Sequence, residues 1–184
     1  MPLISSRESK VYMGVDPGKS GGIALLFSDR GNIVKVIAIH MPDTPKDVFE
    51  WIRNAAVIDA KNLLGFEGCV AIIEQVGGYQ PSKKNGDGFV AGSSAMFNFG
   101  KGLGHLEMAL LACGIPTESV PPRKWQKALG ISSRKNTETK TQWKNRLKSV
   151  AQRLFPSEKV TLATADALLI ATYCKRKHEG TLNG

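Results

Sequence analysis

Three acids stand in stretches otherwise suited to a protein interior. Asp16 closes the run VYMGVD, Glu74 lies in CVAIIEQV, and Asp166 sits within TLATADALLIATY. Carboxylates are rarely buried without a partner, so each one needs a reason. Asp16 has an ordinary one in the Asp-Pro-Gly turn signal it opens. Glu74 could pair with a lysine of the following loop. Asp166 could face solvent on an amphipathic helix, although Ala165, Ala167, Leu168 and Leu169 around it argue otherwise. Their joint occurrence makes a sharper case. If the three converge, each pair repels by roughly 4 kcal/mol at an effective dielectric near 20, which a bound cation would relieve. Oxygen ligands with no His/Cys set beside them select a hard ion, Mg²⁺ or its substitute Mn²⁺. Two such ions about 3.5–4 Å apart activate a water and stabilise the leaving oxygen in phosphodiester cleavage.

The elements that must position these acids can be read in order. Residues 11–16 and 21–27 read as strands joined by Asp-Pro-Gly-Lys-Ser, close enough to require an antiparallel hairpin, and NIVKVIAIH supplies a third strand ending near His40. Asp43 or Thr44 can cap a helix in which Pro45 takes the first position and Val48, Trp51, Ile52, Ala55 and Ala56 keep helical spacing. CVAIIEQV fits a central strand covered on both faces. GGYQPSKKNGDGFVAG reads as a long polar loop. A helix follows from Ser93 or Ser94 to Ala112, stopped by Gly114, and then a strand at IPTESV. Pro121-Pro122 open a short helix to Leu129, residues 132–136 form a linker, and helices Thr137–Phe155 and Leu162–Lys175 flank Pro156.

This order describes an α/β domain with a mixed five-stranded sheet, three antiparallel strands first and helices on both faces. Helical crossovers make the later strands parallel. If strands one and four are neighbours, Asp16 and Glu74 lie at corresponding ends, and a helix across the sheet can deliver Asp166 to the same point. The 184 residues suit one domain, 1–184, with 1–10 and 177–184 expected as flexible tails.

Charge narrows the partners. The net charge is +9. Eleven Lys/Arg and two acids fall between Pro121 and Val160, so this segment carries the whole excess. A local basic surface suits a polyanion such as nucleic acid, and Trp125 and Trp143 are interleaved with the charges. The plainer reading is a solvated helix face. No apolar run reaches membrane-spanning length, and MPLISSRESK lacks the apolar block of a secretory signal. Cys69, Cys113 and Cys174 are scattered and read as reduced core residues. The expected setting is cytoplasmic, with no membrane partner. Basic surface and hard-metal acids together point to a nuclease.

VYMGVDPGKSGGIAL, AIIEQV and TADALLIA resemble, in order and spacing, the three acidic motifs of RuvC-like Holliday junction resolvases. The likeness runs from about Val11 to Lys175. It is strongest to the branch containing phage-encoded and chloroplast enzymes, in which a P-x-R-x-W segment, here Pro121-Pro-Arg-Lys-Trp125, precedes the terminal helices. The resemblance implies a ribonuclease H-like fold and an endonuclease that cuts four-way junctions by paired symmetric nicks, leaving 5′-phosphate and 3′-hydroxyl ends. It implies a homodimer acting on branched DNA, with Asp16, Glu74 and Asp166 as Mg²⁺ ligands. Tyr79 is the candidate for an aromatic wedge at the junction, with Phe89 second; both could instead pack as loop residues. The DNA-contact candidates are Lys83, Lys84, Arg123, Lys124, Lys127, Arg134, Lys135, Lys140 and Lys144.

The chain departs from the family's pattern at one place. An acid or histidine is usual three or four residues before the last aspartate, where this chain has Ala163 and Leu162. The fourth ligand is then absent, or comes from Thr161, Thr164 or water. Gly100, Gly102 and Gly104 either meet a phosphate or, the favoured reading, permit close helix-to-sheet contact. His105 reads as a packed or capping residue and Glu107 as an exposed one. Two rivals stand beside the nuclease: a junction-binding protein with a decayed site, and half of an actin-like kinase or ATPase. The second would leave Asp166 unused, and its two lobes need a longer chain.

Overall fold

The computed structural model describes residues 9–60, 66, 68–75 and 93–182. Five strands form a single mixed sheet: β1 (Lys10–Asp16), β2 (Gly22–Asp29), β3 (Asn32–His40), β4 (Cys69–Glu74) and β5 (Thr117–Val120), in the order β3-β2-β1-β4-β5. β1, β2 and β3 are antiparallel neighbours, while β4 runs parallel to both β1 and β5. The expected architecture is present, including the adjacency of strands one and four.

Period-two alternation divides the sheet between two cores. Val11, Met13, Val15, Ile23, Leu25, Ala71 and Ile73 face one side, where α1 (Pro45–Ile52) and α2 (Ser93–Ala112) cover them with Val48, Ile52, Leu106 and Leu110. Tyr12, Ala24, Leu26, Val70 and Ile72 face the other. There α3 (Pro122–Ala128), α4 (Lys140–Leu154) and α5 (Leu162–His178) supply Trp125, Leu147, Leu168 and Tyr173. Thr44 caps α1 through Asp47 N–H, and Pro45 takes the first turn, as the sequence predicts. The helix then widens into a π turn at Arg53–Ile58, which the steady spacing of Ala55 and Ala56 did not disclose.

α5 lies almost in contact with the sheet backbone, and two strand glycines permit it. A Cβ at Gly14 would stand 2.2 Å from Ala167 O and Ala171 N, and one at Gly22 would stand 2.7 Å from Ala163 O. The close-approach glycines are therefore in β1 and β2. Gly100, Gly102 and Gly104 of α2 do not serve this purpose: a Cβ at any of them meets nothing within 4 Å, which corrects the helix-to-sheet reading.

α4 begins at Lys140 rather than Thr137, because Thr139 and Gln142 form a reciprocal capping box that fixes the first turn. Lys10 already belongs to β1, paired opposite Ser28, and α5 continues through His178 with Lys177 paired to Glu118. Residues 10 and 177–182 are thus structured parts of the body rather than tails. Among the described residues, no helix is long and apolar enough to cross a membrane, and Cys69, Cys113 and Cys174 are free thiols.

Candidate functional site

Alternation sets the facing of two acids. Asp16 follows Tyr12 and Gly14 on the α5 side of β1, and Glu74 follows Val70 and Ile72 on the same side of β4. The parallel register ends with Val15 beside Ile73, so the next residues, Asp16 and Glu74, lie side by side at the carboxyl ends of their strands. α5 crosses this face with Ala167 over Gly14 and Ala163 over Gly22, which brings Asp166 to the same end. Asp166 is buried, 4% exposed, with its neighbours Ala165 and Ala167 buried beside it.

The three carboxyls also act on one another electrostatically. Burial pushes the Asp16 carboxyl up to about 7; nearby Asp166 and Glu74 push in the same direction, and Lys144 opposes them. Glu74 is also raised, first by burial and then by Asp166, against the lowering effects of a hydrogen bond from Trp125 and the charge of Lys144. Among the described residues, none hydrogen-bonds to Asp166 Oδ1, which is buried.

Two side chains complete the cluster, and neither role was visible in the sequence. Trp125, fully buried, donates from Nε1 to Glu74 Oε2 at 2.8 Å. The Pro-Pro-Arg-Lys-Trp segment marks this residue, but its partner lies 51 positions away. Lys144 on α4 donates to Asp166 Oδ2 and forms an ion pair with it. Burial tends to lower its pKa, but Asp166, Asp16 and Glu74 together raise it. A residue expected among the outward DNA contacts is therefore turned into the acid cluster.

The donor set suits a hard divalent cation, being carboxylate oxygens with one orphaned buried oxygen among them. In the conformation described, Lys144 is the cation gathered with these acids. Among the described residues, no three Asp, Glu, His or Cys side chains are yet drawn close enough to enclose an ion. Leu162 and Ala163 offer no ligand, and the Thr161 and Thr164 hydroxyls are engaged in the capping box of α5.

The remaining cations fall into groups. Arg123, Lys124 and Lys127 are exposed on α3, which begins just after β5 pairs Val120 with Glu74. Arg134, Lys135 and Lys140 are exposed around the start of α4. Arg146 is occupied internally: it donates to both Glu138 oxygens at 2.9 Å, to Ser132 and to the Ser133 carbonyl, and its guanidinium lies 4.3 Å from the Trp143 ring centre. Tyr79, Lys83, Lys84 and Phe89 lie outside the described residues.

His105 lines a cavity of about 410 Å³ with Gly18, Lys19, Met41 and Phe99; none of the three acids borders it. The acids stand instead at a sheet end, where Asp16 and Glu74 are part-exposed.

No protein-family model matches the chain, and no curated protein matches it. Solved structures do. RuvC of Thermus thermophilus in complex with a Holliday junction substrate is 16% identical, covers 94% of this chain and 97% of its own, and gives a TM-score of 0.52. The Thermus thermophilus RuvC structure is 17% identical over 93% of this chain and 97% of its own, with a TM-score of 0.51. The yeast mitochondrial Holliday junction resolvase Ydc2 is 13% identical over 98% of this chain and 82% of its own, at a TM-score of 0.42, and carries no argument here. The fold is that of RuvC, a ribonuclease H-like sheet with helices on both faces.

Proposed function

We propose that this chain is a divalent-metal-dependent, structure-selective endonuclease that nicks the two symmetric strands of a four-way DNA junction, with water attacking each phosphodiester. What supports the reading is that Asp16 and Glu74 follow the last paired residues of neighbouring strands, on the face crossed by the helix that carries Asp166, in a fold like that of RuvC. Asp16, Glu74 and Asp166 would hold Mg²⁺ or Mn²⁺, which when bound activates water and stabilises the charge on the leaving oxygen. The chain's own residues do the rest. Trp125 fixes one Glu74 oxygen in place. The buried packing of α5 keeps water from one side of Asp166. Arg123, Lys124 and Lys127 lie beside the same strand ends and can hold phosphates, with Arg134, Lys135 and Lys140 extending the contact. Water forming a bond to phosphorus as the P–O3′ bond breaks, with the 3′ oxygen leaving and taking up a proton, would leave 5′-phosphate and 3′-hydroxyl ends.

Paired nicks require two sites, and a homodimer is part of the proposal. Phe97, Met108 and Leu111 of α2 are 70%, 60% and 70% exposed. With Gly100 and Gly104 between them they form an apolar stripe about 21 Å long at helical spacing, a surface suited to a second copy.

A labelled four-way junction incubated with protein and Mg²⁺ tests the reading. Symmetric nicks, abolished by EDTA, Asp16→Asn or Glu74→Gln, are expected. Cleavage by either variant at the wild-type rate overturns the assignment. A second reading, a junction-binding protein with a decayed site, draws support from the pairing of Lys144 with Asp166 and the absence of an acid at 162 and 163. Its outcome is binding without nicks.

A further inference from the structure

We infer that the Lys144 ammonium fills the second cation position of the acid cluster, so that each chain takes up one divalent ion rather than two. This rests on the nuclease reading above and concerns how its site balances charge. Asp16, Glu74 and Asp166 contribute three negative charges when all are ionised. Lys144 returns one positive charge, and a single divalent ion neutralises the remaining two.

Geometry favours this division. Lys144 is anchored on α4, and its side chain, 34% exposed, leaves water to lie on Asp166 Oδ2. From there its charge acts on Asp16 and Glu74 as well. The other Asp166 oxygen, Oδ1, is buried and has no partner among the described residues, so one carboxylate offers one oxygen to Lys144 and one to an ion. A second Mg²⁺ needs further oxygen ligands in near-octahedral array. One turn before Asp166, positions 162 and 163 are Leu and Ala, and the hydroxyls of Thr161 and Thr164 bond each other and the helix-start amides. An ammonium needs no such array. It supplies positive charge from a fixed tether, where a second ion would lack ligands.

The test counts ions rather than products. Mn²⁺ is titrated into the full chain by isothermal calorimetry, with the bound ion counted by electron paramagnetic resonance. One Mn²⁺ per chain, lost in Asp16→Asn, is expected for wild type. Lys144→Met should bind Mn²⁺ about thirtyfold tighter, the effect of removing a unit charge roughly 4 Å from a divalent ion even with water-like screening. Lys144→Arg, which keeps the charge, should retain wild-type stoichiometry and affinity, and thermal melts confirm that both variants fold. Two ions per wild-type chain, or Lys144→Met at unchanged affinity, overturns the inference, as does wild type that binds no Mn²⁺. Failure of the nuclease reading is separate: a chain that holds one Mn²⁺ but never nicks a junction sinks that reading alone, and one that nicks with two ions sinks only this inference.

Discussion

Replacing Gly14 with alanine tests how firmly the buried helix sets the site. The added methyl would stand 2.2 Å from Ala167 O and Ala171 N and 2.8 Å from Ala171 Cα, against ordinary contacts that begin near 3.4 Å. All three atoms belong to helix backbone, so no side-chain rotation relieves them. α5 must lift from β1 by about 1.2 Å or roll. Overpacking of this kind costs about 1–3 kcal/mol, and rigid backbone on both sides places it toward the upper end. Loss of glycine's extra freedom in the unfolded chain returns about 0.5–1 kcal/mol. The net is a destabilisation of about 2 kcal/mol, or roughly 4–8 °C in Tm for a chain of this length. The displacement also moves Asp166, adjacent to Ala167, and a shift near 1 Å in a reacting constellation lowers rate about 100-fold. Gly102→Ala, off the apolar stripe, is the matched control. It sits in α2 with open space around it, so helix propensity alone should raise stability by about 1 kcal/mol. Thermal melts and junction cleavage below both melting points read the pair. Gly14→Ala that melts and cleaves like wild type refutes the claim that α5 is seated against this glycine.

Three further outcomes follow from the same contacts. Asp16 has a folded-state pKa raised to about 7, so the metal-free folded chain binds more protons than the unfolded one between about pH 4 and 7. Stability in EDTA therefore falls as pH rises through that window, and Asp16→Asn should gain on wild type by a few kcal/mol, to order of magnitude, from pH 5 to 8; parallel urea midpoints at the two pH values would contradict this. Trp125→Phe removes the donor on Glu74 Oε2, a bond to a charged group worth about 1.5–3 kcal/mol, and should slow cleavage at least about tenfold with junction affinity kept; an unchanged rate would show that Glu74 needs no such support. Neutralising Arg134, Lys135 and Lys140 should weaken DNA binding and flatten its salt dependence by roughly 0.9 log unit for each duplex phosphate no longer held, whereas an unchanged slope removes this segment from the interface.

The strands, their pairing and most helix starts were legible because they depend on local signals: apolar runs, Asp-Pro-Gly, Thr44-Pro45 and Gly114. The start of α4 was less so, since Thr137 and Thr139 both suit a cap and the glutamine at 142 decides between them. The acids could be picked out by their misfit with apolar neighbours, and their meeting depended on β1 and β4 lying together. What stayed hidden is contact between surfaces. Lys144 looks like any lysine of a basic helix until α4 is laid against α5. The glycines tell the same lesson in reverse. Gly100, Gly102 and Gly104 draw the eye by repetition, whereas Gly14 and Gly22 matter through what lies above them.

Arg146 has a consequence for the kinetics of encounter. By gripping Ser132, Ser133 and Glu138 it ties the stretch that displays Arg134 and Lys135 to the body of the protein. Ordering a residue's backbone takes about 1–2 kcal/mol of entropy, and for this stretch that loss belongs to folding instead of to complex formation. Docking should thus resemble the meeting of two stiff surfaces, with an on-rate governed by long-range attraction. On the proposed DNA-binding reading, Arg146→Ala would then slow capture through slackness while leaving Arg134 and Lys135 in place.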